Sequence, residues 1–348
     1  MQSTFPGSSQ PLDKTPEGAR EVGKNIWKFL LPIPFPLRDV NMYALVGPEG
    51  WVLIDAGMGT PDARAAFNAG LQRANLQIER LQAIVLTHNH PDHVGLSGEL
   101  QEQSGAKVYI HPLDEPGLQR MWSGNVPRHF DTISRFFSQH GLPFAANWYS
   151  KVKPDSMRNI IRVPAHDTFT FVEDRQELEL AGERYRVLWV PGHSDGLISL
   201  YRERDGVFLA SDHVLPRITP NIGLYSETER PDPLGDYLNS LAKVKELSAS
   251  IVLPGHGDPL SNLQVRIAEI IEHHEHRLAQ ILSLLKVKPQ HAYQLTEQLF
   301  GDRLKNDEAR RMATAEVVAH LEYLRLRDRI KQERNSDDIL LYIVPAYA

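Results

Sequence analysis

The segment Thr87-His88-Asn89-His90-Pro91-Asp92-His93 sets three imidazoles and a carboxylate in a His-x-His-x-Asp-His spacing. Imidazole nitrogen and carboxylate oxygen are suitable zinc ligands at about 2.0–2.2 Å. Four such groups this close together cannot all reach one ion from a regular helix or strand. On a loop between a strand and a helix they can diverge, two toward one cation and two toward its neighbour. Three later segments carry the same residue types: Pro191-Gly192-His193-Ser194, Ser211-Asp212-His213 and Pro254-Gly255-His256-Gly257. Each follows a short apolar run, and glycine there lets the backbone bend close to a bound ion. Taken alone, each of these histidines reads as a turn residue. Four runs ending in the same chemistry point to one metal centre.

The elements that must position these groups follow from the apolar pattern. Residues 25–31, 41–46 and 51–54 read as strands, the last ending in Asp55-Ala56-Gly57. Residues 62–74 have helical spacing, and 83–86 form a buried-type strand leading into the histidine cluster. A helix is expected from near Asp92 to about Gln103, then a strand over 107–110. Further strands fall at 177–180, 184–190, 197–201, 207–210 and 251–253, with a helix over 233–247. This alternation fits two sheets with helices on their outer faces. From about Leu263 long helical stretches take over, at 263–285, 292–300 and 308–326. Short strands near Ile330 and at 339–344 complete the order of a winged-helix domain. The expected organisation is a mobile arm over 1–22, a two-sheet domain over 23–265 with an aromatic insertion at 113–165, and a winged-helix-like domain over 266–348.

Composition bounds the function. The chain has 348 residues, 41% hydrophobic and 24% charged, enough for two domains of about 150 residues. A net charge of −6 gives no global attraction to nucleic acid or anionic membrane. There is no cysteine, which excludes disulfides, thiolate metal sites and a thiol nucleophile. The first residues lack the basic and apolar regions of a signal peptide, and no apolar run approaches the roughly 20 residues of a membrane span. A cytoplasmic location is expected.

The order His-x-His-x-Asp-His, Gly-His, Asp, Gly-His, with the early Asp55-x-Gly57 turn, resembles the metallo-β-lactamase superfamily over about residues 25–265. The resemblance implies an αβ/βα sandwich with the site at one edge of both sheets. It implies two divalent ions, zinc by default with manganese or iron as alternatives. His88, His90 and His193 would hold the first, Asp92, His93 and His256 the second, and Asp212 would bridge them. Asp55 would stand behind the ligands and orient them. His213, beside Asp212, is a candidate for the same role, against the favoured reading that it packs or hydrogen-bonds locally. Asp212 and the lack of cysteine set the chain apart from true class B β-lactamases. They make it more similar to the glyoxalase II, lactonase and RNase Z branches. Ser211 stands where many relatives have glycine. Two adjacent cations would lower the pKa of a shared water, and Asp92 would orient it and accept its proton.

Weaker signals surround this centre. Trp122, Phe136, Phe137, Trp148 and Tyr149 of the aromatic insertion are expected to form a lid over an apolar acyl substrate, with a dimer contact or satellite core as the alternative. Tyr225 is a candidate to hydrogen-bond a substrate oxygen, against a packed loop aromatic. His273, His274 and His276 read as a solvated helix face, and so do Arg325, Arg327, Arg329 and Lys331. The expected activity is hydrolysis of a small-molecule thioester, ester or lactone, with no nucleic-acid or membrane partner and a homodimer as an option. A single-strand endoribonuclease and a non-catalytic binding module on the same scaffold are the alternatives.

Overall fold

The computed structural model describes residues 18–122, 126–144, 159–226 and 229–345. Its frame is two facing sheets. The first has seven strands in the order β1-β2-β3-β4-β5-β6-β7, namely Ala19–Gly23, Ile26–Pro32, Asp39–Val46, Trp51–Ile54, Leu81–Val85, Lys107–Ile110 and Phe169–Phe171. β1 to β4 run antiparallel and β4 to β7 parallel. The second has five strands in the order β12-β11-β10-β9-β8. In chain order β8 to β12 are Glu177–Leu180, Glu183–Trp189, Ile198–Arg202, Val207–Ser211 and Ile251–Pro254.

Alternation along the strands builds three layers of core. In β3, Val40, Met42 and Ala44 face outward into one cluster, while Tyr43 and Leu45 face the other sheet. β4 repeats this with Trp51 and Leu53 against Val52 and Ile54. On the facing sheet, Val207 and Leu209 of β11 point inward and Phe208 and Ala210 outward. A strand apolar at nearly every position is one covered on both faces. The covers are α1 (Pro61–Ala74), α2 (Pro91–Val94) and α3 (Ser97–Ser104) on one side, and α6 (Pro233–Lys245) with the first half of α7 (Leu263–Val287) on the other.

The remaining helices are α4 (Glu115–Trp122), α5 (Val126–Gln139), α8 (Ala292–Phe300) and α9 (Asp307–Arg325). Together with the hairpin of β13 (Lys331–Arg334) and β14 (Leu340–Ile343), the second half of α7, α8 and α9 form a C-terminal unit around Ile281, Leu295, Val317, Leu321 and Tyr342. The order of three helices and a two-stranded hairpin agrees with the expected mainly helical C-terminal domain. Among the described residues, no helix is long and apolar enough to cross a membrane.

Five expectations need correction. The arm assigned to 1–22 extends too far, because Ala19–Gly23 pairs with β2 as an edge strand. The single helix expected from Asp92 is two. At the break, the Gly95 carbonyl accepts from Arg162 N–H (2.7 Å) and Leu96 N–H donates to the Ala56 carbonyl (3.3 Å), so these groups bond across to neighbouring chain rather than along a helix. The boundary at 265/266 falls inside α7, whose Leu263 and Ile267 pack on the sandwich and whose Ile281 and Leu285 pack in the C-terminal unit. His274 is not on a solvated face: it is buried, with Nδ1 3.1 Å from His320 Nε2 on α9. Phe136 and Phe137 are not a lid over the metal centre. They are 6% and 1% exposed and belong to the C-terminal core.

Because Phe137 is a core side chain, Phe137→Ala should destabilise the protein by about 3–5 kcal/mol, the usual loss for a buried aromatic. Urea unfolding measures this, and a loss below about 1 kcal/mol would place the ring outside the core.

Candidate metal centre

All the ligand-type residues sit just beyond strand C-termini at one edge of the sandwich. β5 runs into Leu86, Thr87 and the histidine loop, β9 into the loop of His193, β11 into Asp212 and β12 into His256. The structure brings together three groups whose donor atoms lie within 4.8 Å of one another: His88 with His90 and His193, His88 with His93 and Asp212, and Asp92 with His93 and His256. His88 Nε2 is 3.1 Å from His90 Nδ1. Asp212 lies between the groups. Its Oδ2 is 3.4 Å from His193 Nε2 and 3.3 Å from His256 Nε2, and its Oδ1 is 3.6 Å from His93 Nε2.

Four of the imidazoles, those of His88, His93, His193 and His256, are oriented from behind. His193 Nδ1 meets the Asn221 carbonyl at 2.9 Å, and His256 Nδ1 meets the Asp39 carbonyl at 2.6 Å. A proton on each Nδ1 leaves the Nε2 lone pair facing the centre. His93 Nδ1 is held by Asp55 Oδ2 at 2.8 Å. Asp55 also accepts from the Thr87 amide (2.8 Å) and hydroxyl (2.9 Å), and that hydroxyl lies 2.9 Å from His88 Nδ1. Asp55 thus contacts His93 directly and His88 through Thr87.

The donor set fits divalent cations. His93 Nε2, His193 Nε2 and Asp212 Oδ1 are buried and have no hydrogen-bond partner among the described residues. Buried polar atoms are otherwise almost always paired, so convergent orphans mark a place for an ion. The charge pattern agrees. Burial, then repulsion from His193, pushes the His90 imidazole down to about 3. Burial would also lower His256, but Asp212 and Asp92 outweigh it and raise it to about 10. Burial opposes the charge of Asp212, yet His256 and His93 hold its carboxyl well below the usual range. Protons on His93 and His256 take the place that cations would occupy, and metal binding would displace them.

Two backbone features let the loops converge. A Cβ at Gly255 would overlap the Asp212 carboxylate, so only glycine admits that approach. Ser211 takes the left-handed conformation (φ 49°), which explains why glycine would be at ease there. Its hydroxyl contacts Thr87 Oγ1 at 2.7 Å, a bond glycine could not make.

The other sequence candidates fare differently. His213 is fully buried with its ring edge-on to Tyr237, and burial pushes its imidazole down to about 3. The Tyr225 hydroxyl accepts from Asn221 Nδ2 at 3.0 Å, one contact back from His193, while burial pushes its phenol up to about 12. Trp122 is half-buried against the helix side of the first sheet, and Trp148 and Tyr149 lie outside the described residues. Sequence reasoning missed Thr87, Asn221, the Asp39 carbonyl and Asp114. Asp114 is fully buried beside both histidine loops, and burial pushes its carboxyl up to about 6.

A two-sheet sandwich with imidazoles and carboxylates gathered at its strand ends is the arrangement of a metallo-hydrolase. Residues 36–256 match the family model of the metallo-beta-lactamase superfamily, and residues 278–345 that of the metallo-beta-lactamase-like C-terminal domain. The chain belongs to the metallo-beta-lactamase superfamily. It is 29% identical over 308 residues to a probable metallo-hydrolase of Bacillus subtilis, YqjP, covering 86% of this chain and 92% of that one. An atrochrysone carboxyl ACP thioesterase of Aspergillus fumigatus is 26% identical over 78% of this chain and 66% of its own. The crystal structure of a metallo-beta-lactamase family protein from Thermus thermophilus superposes with a TM-score of 0.81 at 34% identity, over 93% of this chain and 100% of that one.

Zinc binding at pH 7 should release at least about one proton per chain, since protonated His93 and His256 must give up theirs. Affinity should therefore fall as pH is lowered. Calorimetry in buffers of different ionisation enthalpy counts the protons, and zero release would contradict this electrostatic arrangement.

Proposed function

We propose that this chain is a hydrolase working with two divalent cations, zinc by preference, on a thioester, ester or lactone of a small acyl substrate. The observation that carries the reading is the buried Asp212 carboxylate set within 3.6 Å of His93, His193 and His256. His88, His90 and His193 would hold one cation, Asp92, His93 and His256 the other, and Asp212 would be shared. When bound, the cations supply Lewis acidity that makes water nucleophilic near neutral pH and polarises a carbonyl oxygen.

The chain's own residues supply orientation and proton handling. Asp92 Oδ2 lies 3.4 Å from His256 Nε2. Burial opposes its charge, but His93 and His256 keep its carboxyl below the ordinary range, so it is ionised near neutral pH and can accept a hydrogen bond from an attacking water. Asp55, Asn221 and the Asp39 carbonyl fix the rings of His93, His193 and His256. Without cysteine the chain has no thiol nucleophile, which favours direct attack of water.

Two observations support an acyl substrate over RNA. Phe35 and Leu37 are 37% and 44% exposed, and they offer apolar surface on the segment leading to Asp39, whose carbonyl holds His256. Two of the four cations that could form a phosphate track are already engaged by acids: Arg325 pairs with Glu322 at 2.7 Å and Arg327 with Asp232 at 2.9 Å. The relative named as an acyl-carrier thioesterase points the same way.

Metal-loaded protein assayed against thioesters, lactones, aryl esters and single-stranded RNA should hydrolyse the acyl substrates and leave RNA intact. Asp92→Asn should lower kcat on the preferred substrate by about a hundredfold or more while leaving the protein folded. Near-normal turnover would remove Asp92 from the mechanism, and RNA cleavage without acyl hydrolysis would reverse the substrate reading.

A further inference from the structure

Asp114 lies just before α4 and is fully buried, and its hydrogen bonds among the described residues go to Asn89, Ser194 and Gly196 rather than to the groups proposed to hold cations. Both of its carboxylate oxygens are spent on the loops that carry them. Oδ2 accepts from the Asn89 amide at 3.0 Å and from the Ser194 hydroxyl at 2.8 Å. Oδ1 accepts from the Gly196 amide at 2.7 Å. The Asp114 carbonyl also faces Asn89 Nδ2 at 3.4 Å. Asn89 is the residue between His88 and His90, and Ser194 is the residue after His193. One carboxylate thus joins the two chain segments that supply the three-histidine group.

These segments come from different sheets, one following β5 and the other β9. A backbone bond from Ile198 N–H to the Thr87 carbonyl (2.9 Å) ties the strands below them. Above that bond, Asp114 links the loop residues themselves by hydrogen bonds. The fit is close: a Cβ at Gly196 would come within 2.6 Å of the Asp114 amide nitrogen, so the residue there must be glycine. The other proposed group is held by different contacts, through Asp55 on His93 and the Asp39 carbonyl on His256.

We propose that Asp114 is a positioning residue for one cation only, the one held by His88, His90 and His193, because it clamps Asn89 and Ser194 into one rigid unit. A buried carboxylate accepting three donors fixes their relative positions, whereas an amide in its place would set N–H against N–H. Loss of the groups that orient metal ligands typically weakens metal affinity about 10–100-fold. The proposal rests on the two-cation reading given above.

The test is titration of chelator-stripped protein with Zn2+ against a competing indicator, for the unaltered chain, Asp114→Asn, His90→Ala and His256→Ala. Asp114→Asn should weaken one of two zinc steps by about 10–100-fold and leave the other unchanged. The step it spares should be the one that survives in His90→Ala, not the one that survives in His256→Ala. Two unchanged steps, two steps weakened equally, or loss of the His256-dependent step would overturn the proposal. If Asp114→Asn does not fold, Ser194→Ala removes a single hydroxyl. It should weaken the same step by a smaller factor, and an unaltered step there overturns the clamp. A single zinc step in the unaltered chain that Asp114→Asn still weakens would sink the two-cation reading alone. A single step left unchanged would sink both.

Discussion

The structure depends on a concentration of lone pairs that the protein cannot satisfy by itself. Asp212, His93 and His193 present buried atoms with no partner among the described residues, all converging on one small volume. Leaving such groups unpaired in a protein interior costs roughly 1–3 kcal/mol each, and more for a charged group. Ion pairs of His93 and His256 with Asp212 offset part of that cost without a metal, and bound cations would offset it more fully, so metal binding would add to local stability.

The sandwich supplies the rigidity this convergence needs. β3 and β4, buried on both faces, set Asp55, which reaches His93 and, through Thr87, His88. β3 also reaches across the sheet gap. The Tyr43 hydroxyl and Asn41 Nδ2 donate to the Pro254 carbonyl at 2.7 Å and 2.9 Å, and Asn41 N–H donates to the Gly255 carbonyl at 2.7 Å. The His256 loop is therefore bolted to the opposite sheet rather than left to its own turn. Strain is placed at the same edge, where Asp55 and Ser211 both take positive φ (61° and 49°). Non-glycine residues keep such conformations when side-chain bonds overdetermine them, and Thr87 provides bonds to both.

What was legible in the sequence was local. His88 to His93 lie in one loop, and Gly-His193, Asp212 and Gly-His256 each follow an apolar run, so residue type and spacing were enough to group them. The strands were legible for the same reason, since apolar runs of four to eight residues bounded by turns have few other readings. What was not legible depends on distant packing. Asn221 and Asp39 act through backbone carbonyls, which leave no mark on side-chain identity. Asp114 is one aspartate among many until the fold buries it between two loops. Phe136 and Phe137 form an amphipathic helix face, and sequence cannot say whether that face covers a ligand or a neighbouring domain. Here it covers the C-terminal unit. The helical period through 263–287 is unbroken, so it hid the point at which α7 passes from one core to the other.

In the proposed function, Asp212 is shared between two cations. Elemental analysis of zinc-loaded protein after exhaustive buffer exchange, with circular dichroism to confirm folding, tests it most directly. About two zinc ions per chain are expected for the unaltered protein and about one or fewer for Asp212→Ala, because neither group retains its full donor set. Two tightly held ions in Asp212→Ala, or one in the unaltered chain, would contradict it.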